Sequence, residues 1–146
     1  MAIRIGRECA GIALLCMALL GCDSPPQPVG MAEQAADQYY QALKSKDFDK
    51  AASYFLDTPG EPTDKWLQQL RDYNGKLGDL QGYHLVDKAV NTVYSGTRYT
   101  LIFNTKYSKY SATETLSFFD GIAAYGKKGG NGMKIEGMSV ESKGIN

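Results

Sequence analysis

Histidine and tryptophan each occur once in this chain, and no cysteine lies beyond position 22. A single histidine, His84, excludes a two-histidine metal site. The cysteine positions leave everything after Cys22 without an internal disulfide or a cysteine-rich zinc site. The fold must stand on packing alone, even in a compartment that permits disulfides. An excess of one charge is missing too, since 16 basic residues balance 16 acidic ones. Nucleic-acid binders carry a net positive face, so no nucleic-acid partner is expected. The short basic runs, Lys44 with Lys46 and Lys127-Lys128, read as solvated loop or helix-end charges. No nucleophile signature occurs, neither Gly-x-Ser-x-Gly nor Ser-x-x-Lys with its companion motifs. The glycines at 126, 129, 130 and 132 lack the Gly-Lys-Ser/Thr of a phosphate loop. No catalytic residue, no cofactor and no metal are expected.

A long hydrophobic run is absent as well. Cys9–Leu20 is uncharged and apolar, but it holds roughly a dozen residues where a spanning helix needs ~20. It has the length of a signal-peptide core, behind a positive segment with Arg4 and Arg7. The run closes on Leu19-Leu20-Gly21-Cys22. This resembles the lipobox of bacterial lipoproteins. The resemblance implies diacylglycerol transfer to the Cys22 sulfur and cleavage between Gly21 and Cys22, often with N-acylation. Two or three acyl chains anchor stably where one is marginal. The implied partner is thus a lipid bilayer, reached through acylated Cys22, and the implied location is the periplasmic side of the cell envelope. Asp23 at the second mature position resembles an inner-membrane retention signal of enteric-type lipoproteins. Other bacteria read later positions, which leaves the outer membrane as the alternative.

Residues 23–30 contain three prolines and read as a short tether, spanning roughly 25 Å at polyproline pitch. The expected organisation is a signal peptide over 1–21, a lipidated tether over 22–30 and one domain over 31–146. Within that domain, Ala32, Ala35, Ala36, Tyr39 and Leu43 form one helical stripe over 32–45. Asp47 reads as the N-cap of a short second helix that buries Phe48, Ala51, Ala52 and Phe55. A third helix starts near Thr63 or Asp64, carries Trp66, Leu67, Leu70 and Leu77, and stops at Gly78. The period then changes. Residues 80–94 look extended, and 97–107 alternate clearly through Tyr99, Leu101, Phe103 and Tyr107. Residues 112–119 follow as a strand, with a turn near 108–111. Positions 123–132 read as a glycine-rich flexible connection. The final strand, 133–141, changes parity between Ile135 and Met138, and a bulge at Gly137 would restore one buried face. Helices followed by strands argue for an α+β fold, three N-terminal helices packed on a curved, about four-stranded antiparallel sheet.

That pattern resembles the nuclear transport factor 2-like, cystatin-like cone fold. The residues that carry the resemblance are Ala35–Leu56, Trp66–Leu70, Lys76-Leu77-Gly78, Tyr99–Phe103, Glu114-Thr115-Leu116 and Lys134–Gly137. Such domains often place a tryptophan before the last strand, where this chain has Gly132-Met133-Lys134. The resemblance implies a cone cavity whose candidate lining residues are Glu114, Arg98, His84, Tyr39 and Tyr99.

Glu114 shares parity with Ala112, Leu116 and Phe118. A solvated position at the rim is the first reading for it. The others are a carboxylate paired inside the fold, with Arg98 as candidate partner, and a functional cavity acid. A buried carboxylate must be paired or take a raised pKa. His84 reads first as structural or surface, then as a cavity ligand, and last as a catalytic base. Asp87, three residues on, would face away from it by strand parity. Tyrosine occurs ten times. Tyr39, Tyr40, Tyr54, Tyr73, Tyr83 and Tyr99 suit core packing or a cavity wall, while Tyr107 and Tyr110 at a hairpin tip suit a protein contact. The expected function is a membrane-tethered, non-enzymatic interaction module with an envelope protein partner. A small-ligand binder using the cone is the alternative, followed by an enzyme with Glu114 or His84 as acid or base. The sequence sets no oligomeric state.

Overall fold

The computed structural model describes residues 28–57, 62, 64–121 and 133–145. Gly21, Cys22 and the expected leader lie outside the described residues, as do the tether through residue 27 and the connection 122–132.

The first helix, α1, spans Pro28–Lys44. It starts inside the expected tether. Proline fits a first helical turn because its missing N–H has no partner there anyway, and Val29 already packs on the core. Ala32, Ala35, Ala36, Tyr39, Tyr40, Ala42 and Leu43 are all buried. The alanines bring the helix axis close to the sheet, and the tyrosines fill the space below. α1 ends at Lys46, whose φ of 61° lies in the left-handed region. The Lys46 N–H donates to Leu43 O and the Asp47 N–H to Ala42 O, which closes the last turn as a Schellman motif. The Asp47 carboxylate then accepts from the Lys50 N–H at 3.0 Å and caps α2, Phe48–Ala52. α3 spans Lys65–Leu77 and ends at Gly78, where φ is +89°. The helical half is therefore one long helix with two shorter ones.

Four strands follow: β1 (Leu80–Val93), β2 (Gly96–Tyr107), β3 (Ser111–Gly121) and β4 (Ile135–Glu141). They form one antiparallel meander in the order β1-β2-β3-β4. Tyr99, Leu101, Phe103, Thr105 and Tyr107 of β2 face inward beside Ala112, Glu114, Leu116 and Phe118 of β3, and all are buried. In β4, Ser117 pairs with Gly137 and Phe118 with Ile135, so Glu136 is the extra residue of a bulge. The bulge puts Ile135, Met138 and Val140 on one inner face, as the parity change next to Gly137 requires.

Strand β1 carries two more bulges, at Gln81 and Val86. The second one corrects the expected separation of His84 and Asp87. His84 pairs with Asn104 and Asp87 with Ile102, so both residues face outward on the same side of the sheet. The segment after α2 also joins the sheet. The Leu56 N–H donates to Ile135 O, and the Ile135 N–H to Tyr54 O, each at 2.9 Å, forming a parallel bridge between Phe55 and Ile135.

Candidate functional site

Glu114 stands in the middle of the sheet, opposite Phe103 on β2 and Val140 on β4, beneath α1. It is 1% exposed, so the rim position is overturned. Oε1 accepts from the Tyr107 hydroxyl at 2.6 Å and from Thr105 Oγ1 at 3.0 Å. Oε2 accepts from the Tyr40 hydroxyl at 3.1 Å. Strand pairing brings Thr105 and Tyr107 here, and α1 delivers Tyr40 from above.

Burial pushes the Glu114 carboxyl above its ordinary range, while the bonds from Tyr107, Thr105 and Tyr40 partly offset that by favouring the charged form. The Thr105 hydroxyl has one proton and two acceptors within reach, Ala112 O at 3.1 Å and Glu114 Oε1 at 3.0 Å, and shares it between them. Burial also holds Tyr39, Tyr40 and Tyr107 well above the usual phenol range, with the nearby Glu114 charge adding to the shift. These tyrosines are hydrogen-bond donors here and not bases. Outside the cluster, Tyr40 stacks on Tyr83 at 4.4 Å between ring centres. The Tyr83 hydroxyl bonds Asp37 and Gln41. Partial burial and then the Asp37 carboxylate push it up to about 12.

The space around this acid is nearly full. Phe103, Leu116 and Phe118 are at most 5% exposed and fill the inner face. A cavity of about 10 Å³ remains beside Glu114 and Tyr39, room for about one water. The Tyr39 hydroxyl points to Met138 Sδ at 3.3 Å. Tyr99 is buried on the same face but pairs with Val90 and Phe118, away from that cavity. Among the described residues, no buried side-chain nitrogen or oxygen lacks a partner, and no three His, Cys, Asp or Glu side chains converge as for a metal.

Arg98 and His84 do not join Glu114. Arg98 is one step out of parity, on the outer face. It pairs with Glu136 at 3.2 Å and lies 5.8 Å over the Phe119 ring. His84 is exposed, also on the outer face, in an open trough with Asn104, Lys106, Thr113 and Lys143. Tyr107 corrects the expectation of a contact at a hairpin tip, being 8% exposed and turned inward onto the acid. Tyr110 does stay exposed, with its ring against Gly144. Sequence reasoning missed Tyr40, Thr105 and Tyr107 as the partners of Glu114. The signal available for two of them was shared parity with Phe103.

No protein-family profile matches the chain, and no curated protein matches it in sequence. Solved structures do match. A candidate dehydratase of the NTF2-like family from Streptomyces avermitilis superposes with a TM-score of 0.52 at 15% identity, over 80% of this chain and 97% of that one. A candidate scytalone dehydratase from Novosphingobium aromaticivorans gives 0.46 at 13% identity, over 77% and 81%. Bd1075 of Bdellovibrio bacteriovorus gives 0.48 at 14% identity. That match covers 75% of this chain but only 38% of the Bdellovibrio chain. The Streptomyces likeness establishes an NTF2-like fold, one that includes proteins described as enzymes. At such identity it establishes no activity.

Proposed function

We propose that the chain is a lipid-anchored envelope protein whose NTF2-like domain works as a non-enzymatic interaction module. The observation that carries the second half is the packed cone. An enzyme or small-ligand binder on this fold needs room inside, and ligand pockets run to hundreds of Å³. Here the cavity beside Glu114 holds about 10 Å³, the larger trough at His84 lies open on the outer face of the sheet, and the buried Glu114 carboxyl already accepts from three hydroxyls. The leader and the lipobox ending in Cys22 support the anchored half. Contacts with an envelope partner then fall to the outer surface. The inner membrane is the favoured site because of Asp23, and the outer membrane is the alternative.

The likeness to a candidate dehydratase supports a second reading, an enzyme acting through Glu114. Against it stands the placement of His84 across the sheet from Glu114, which leaves the acid without an imidazole partner.

Mass spectrometry of the mature N-terminus tests the anchor. An acylated Cys22 that is lost, with membrane association, in Cys22→Ser supports it; an intact Met1 overturns it. Complementation of a deletion strain tests the module. Glu114→Gln and His84→Ala should restore the native phenotype, and Cys22→Ser should not. A failure of Glu114→Gln at normal protein level would move the reading to chemistry at the buried acid.

A further inference from the structure

Of the six exposed large hydrophobics among the described residues, five lie along β1 from Val86 onwards, at its hairpin tip and in the first turn of α1, and Tyr110 lies at the opposite end. Met31, Val86, Val90, Val93 and Tyr94 are exposed, with Val90 at 55%, Val93 at 49% and Tyr94 entirely in solvent. Of these, Val90, Val93 and Tyr94 belong to the tip of the β1–β2 hairpin.

The position of α1 fixes where that tip lies relative to the chain's start. Lys46 pairs with Asp79 at 2.6 Å at one end of the helix, and Glu33 pairs with Lys88 at 2.7 Å near the other. Helix α1 therefore runs antiparallel to β1, with its first turn towards the hairpin tip. Going back from Glu33, the helix reaches Pro28 within about 8 Å. Going on from Lys88, the strand reaches Tyr94 in about 20 Å. The tip projects roughly 12 Å beyond the helix start by these two pitches, on the side where the chain leaves towards Cys22. The link from Cys22 to Pro28 is short, about 20 Å even at polyproline extension.

We infer that the β1–β2 hairpin tip is a second membrane contact, seating Val93 and Tyr94 in the headgroup region of the bilayer that holds Cys22. The inference rests on the lipid-anchor reading above. A tether this short keeps the tip close to the lipid. Tyrosine with valine suits that depth, because the rings of interfacial tyrosines lie at the boundary with their hydroxyls in the polar layer. Exposed apolar side chains at the anchored end gain a non-aqueous surface there. The two contacts together fix the domain's orientation, with the Asp79–Ser108 end and Tyr110 directed away from the membrane.

The chain offers no thiol after Cys22, and acylation consumes that one. Tyr94→Cys in the full, acylated chain thus supplies one site for an environment-sensitive nitrobenzoxadiazole label. Val93→Cys gives a second site, and Tyr110→Cys a control at the opposite end. The labelled proteins are placed in phosphatidylethanolamine–phosphatidylglycerol vesicles, with or without nitroxide lipid. Labels at 93 and 94 should shift to the blue and lose at least half their emission to the nitroxide, while the label at 110 stays aqueous. Aqueous emission at 93 and 94 with Cys22 acylated by mass spectrometry overturns the hairpin contact and leaves the anchor standing. A blue shift without nitroxide quenching means the tip is covered by protein, and overturns it too. A Cys22 found unmodified in cells removes both readings together.

Discussion

The Tyr107 hydroxyl donates to Oε1 of Glu114 over 2.6 Å, and the two residues are closed off together inside the cone. Removing that hydroxyl takes away the shortest bond to the acid and leaves Oε1 with the longer Thr105 bond alone. Tyr107→Phe should destabilise the domain by about 1–2 kcal/mol, in the range for a buried bond to a polar partner. Tyr40→Phe, which removes the 3.1 Å bond to Oε2, should cost less. Urea unfolding of both variants checks the ranking, and equal or reversed costs would contradict it.

Glu114 should make stability depend on pH in a particular direction. Its folded-state pKa is raised by burial, so the native state holds a proton that the unfolded chain releases first. Stability is then greatest below the ordinary glutamate pKa of ~4.3. It falls as pH rises from there towards the raised native value. Glu114→Gln cannot ionise and should flatten this slope, with stability at neutral pH equal to or above that of the native protein. Unfolding midpoints across pH 4–8 (roughly the window above the ordinary value) would show it. A slope that survives the substitution would place the titrating group elsewhere.

Gly78 admits no side chain. Its φ is +89°, and a Cβ there would meet Ser108 Oγ at 2.1 Å and the Lys109 backbone nitrogen at 3.2 Å. Ser108 Oγ itself accepts from the Asp79 N–H at 3.0 Å. Gly78→Ala should therefore cost about 1–3 kcal/mol through strain at the end of α3. Gly75, with open space around it, should tolerate alanine and gain about 0.5–1 kcal/mol of helix propensity. Thermal melts of the pair distinguish conformational strain from a general intolerance of substitution in this segment.

Leu116 is fully buried at the centre of β3. Leu116→Ala should destabilise by about 2–5 kcal/mol, because the surrounding close-packed core collapses only partly. The variant also opens apolar space on the inner face, two residues along β3 from Glu114. It should acquire affinity for small apolar probes such as benzene, detectable by calorimetry, that the native domain lacks. Equal binding by the native protein would show that its interior opens in solution.

Local periodicity made much of the fold legible. The α1 stripe, the Asp47 cap, the Gly78 stop and the alternation of β2 all depend on neighbours within a few residues. The bulge beside Gly137 was legible too, because a parity change must be absorbed somewhere. The acid cluster was only half visible. Glu114 stood out by parity, but which hydroxyls meet it depends on how β2 and β3 align, and that is not written in either strand. His84 and Asp87 were separated by a rule that the Val86 bulge suspends. The prolines before α1 suggested a tether, yet Pro28 opens the helix because a first turn does not need its N–H. Arg98 was a candidate partner by charge alone, and one step of parity sends it to Glu136 instead.

The bridge at Ile135 and the bulges of β1 bear on crowding. Sheets with bare margins recruit copies of themselves and grow into fibres. On the β4 side, the main chain at Phe55 occupies the first position where an incoming strand would dock. On the β1 side, extra residues at Gln81 and Val86 break the long margin into short lengths that a straight newcomer cannot follow in step. Both margins of the sheet thereby resist the addition of a strand from a second copy.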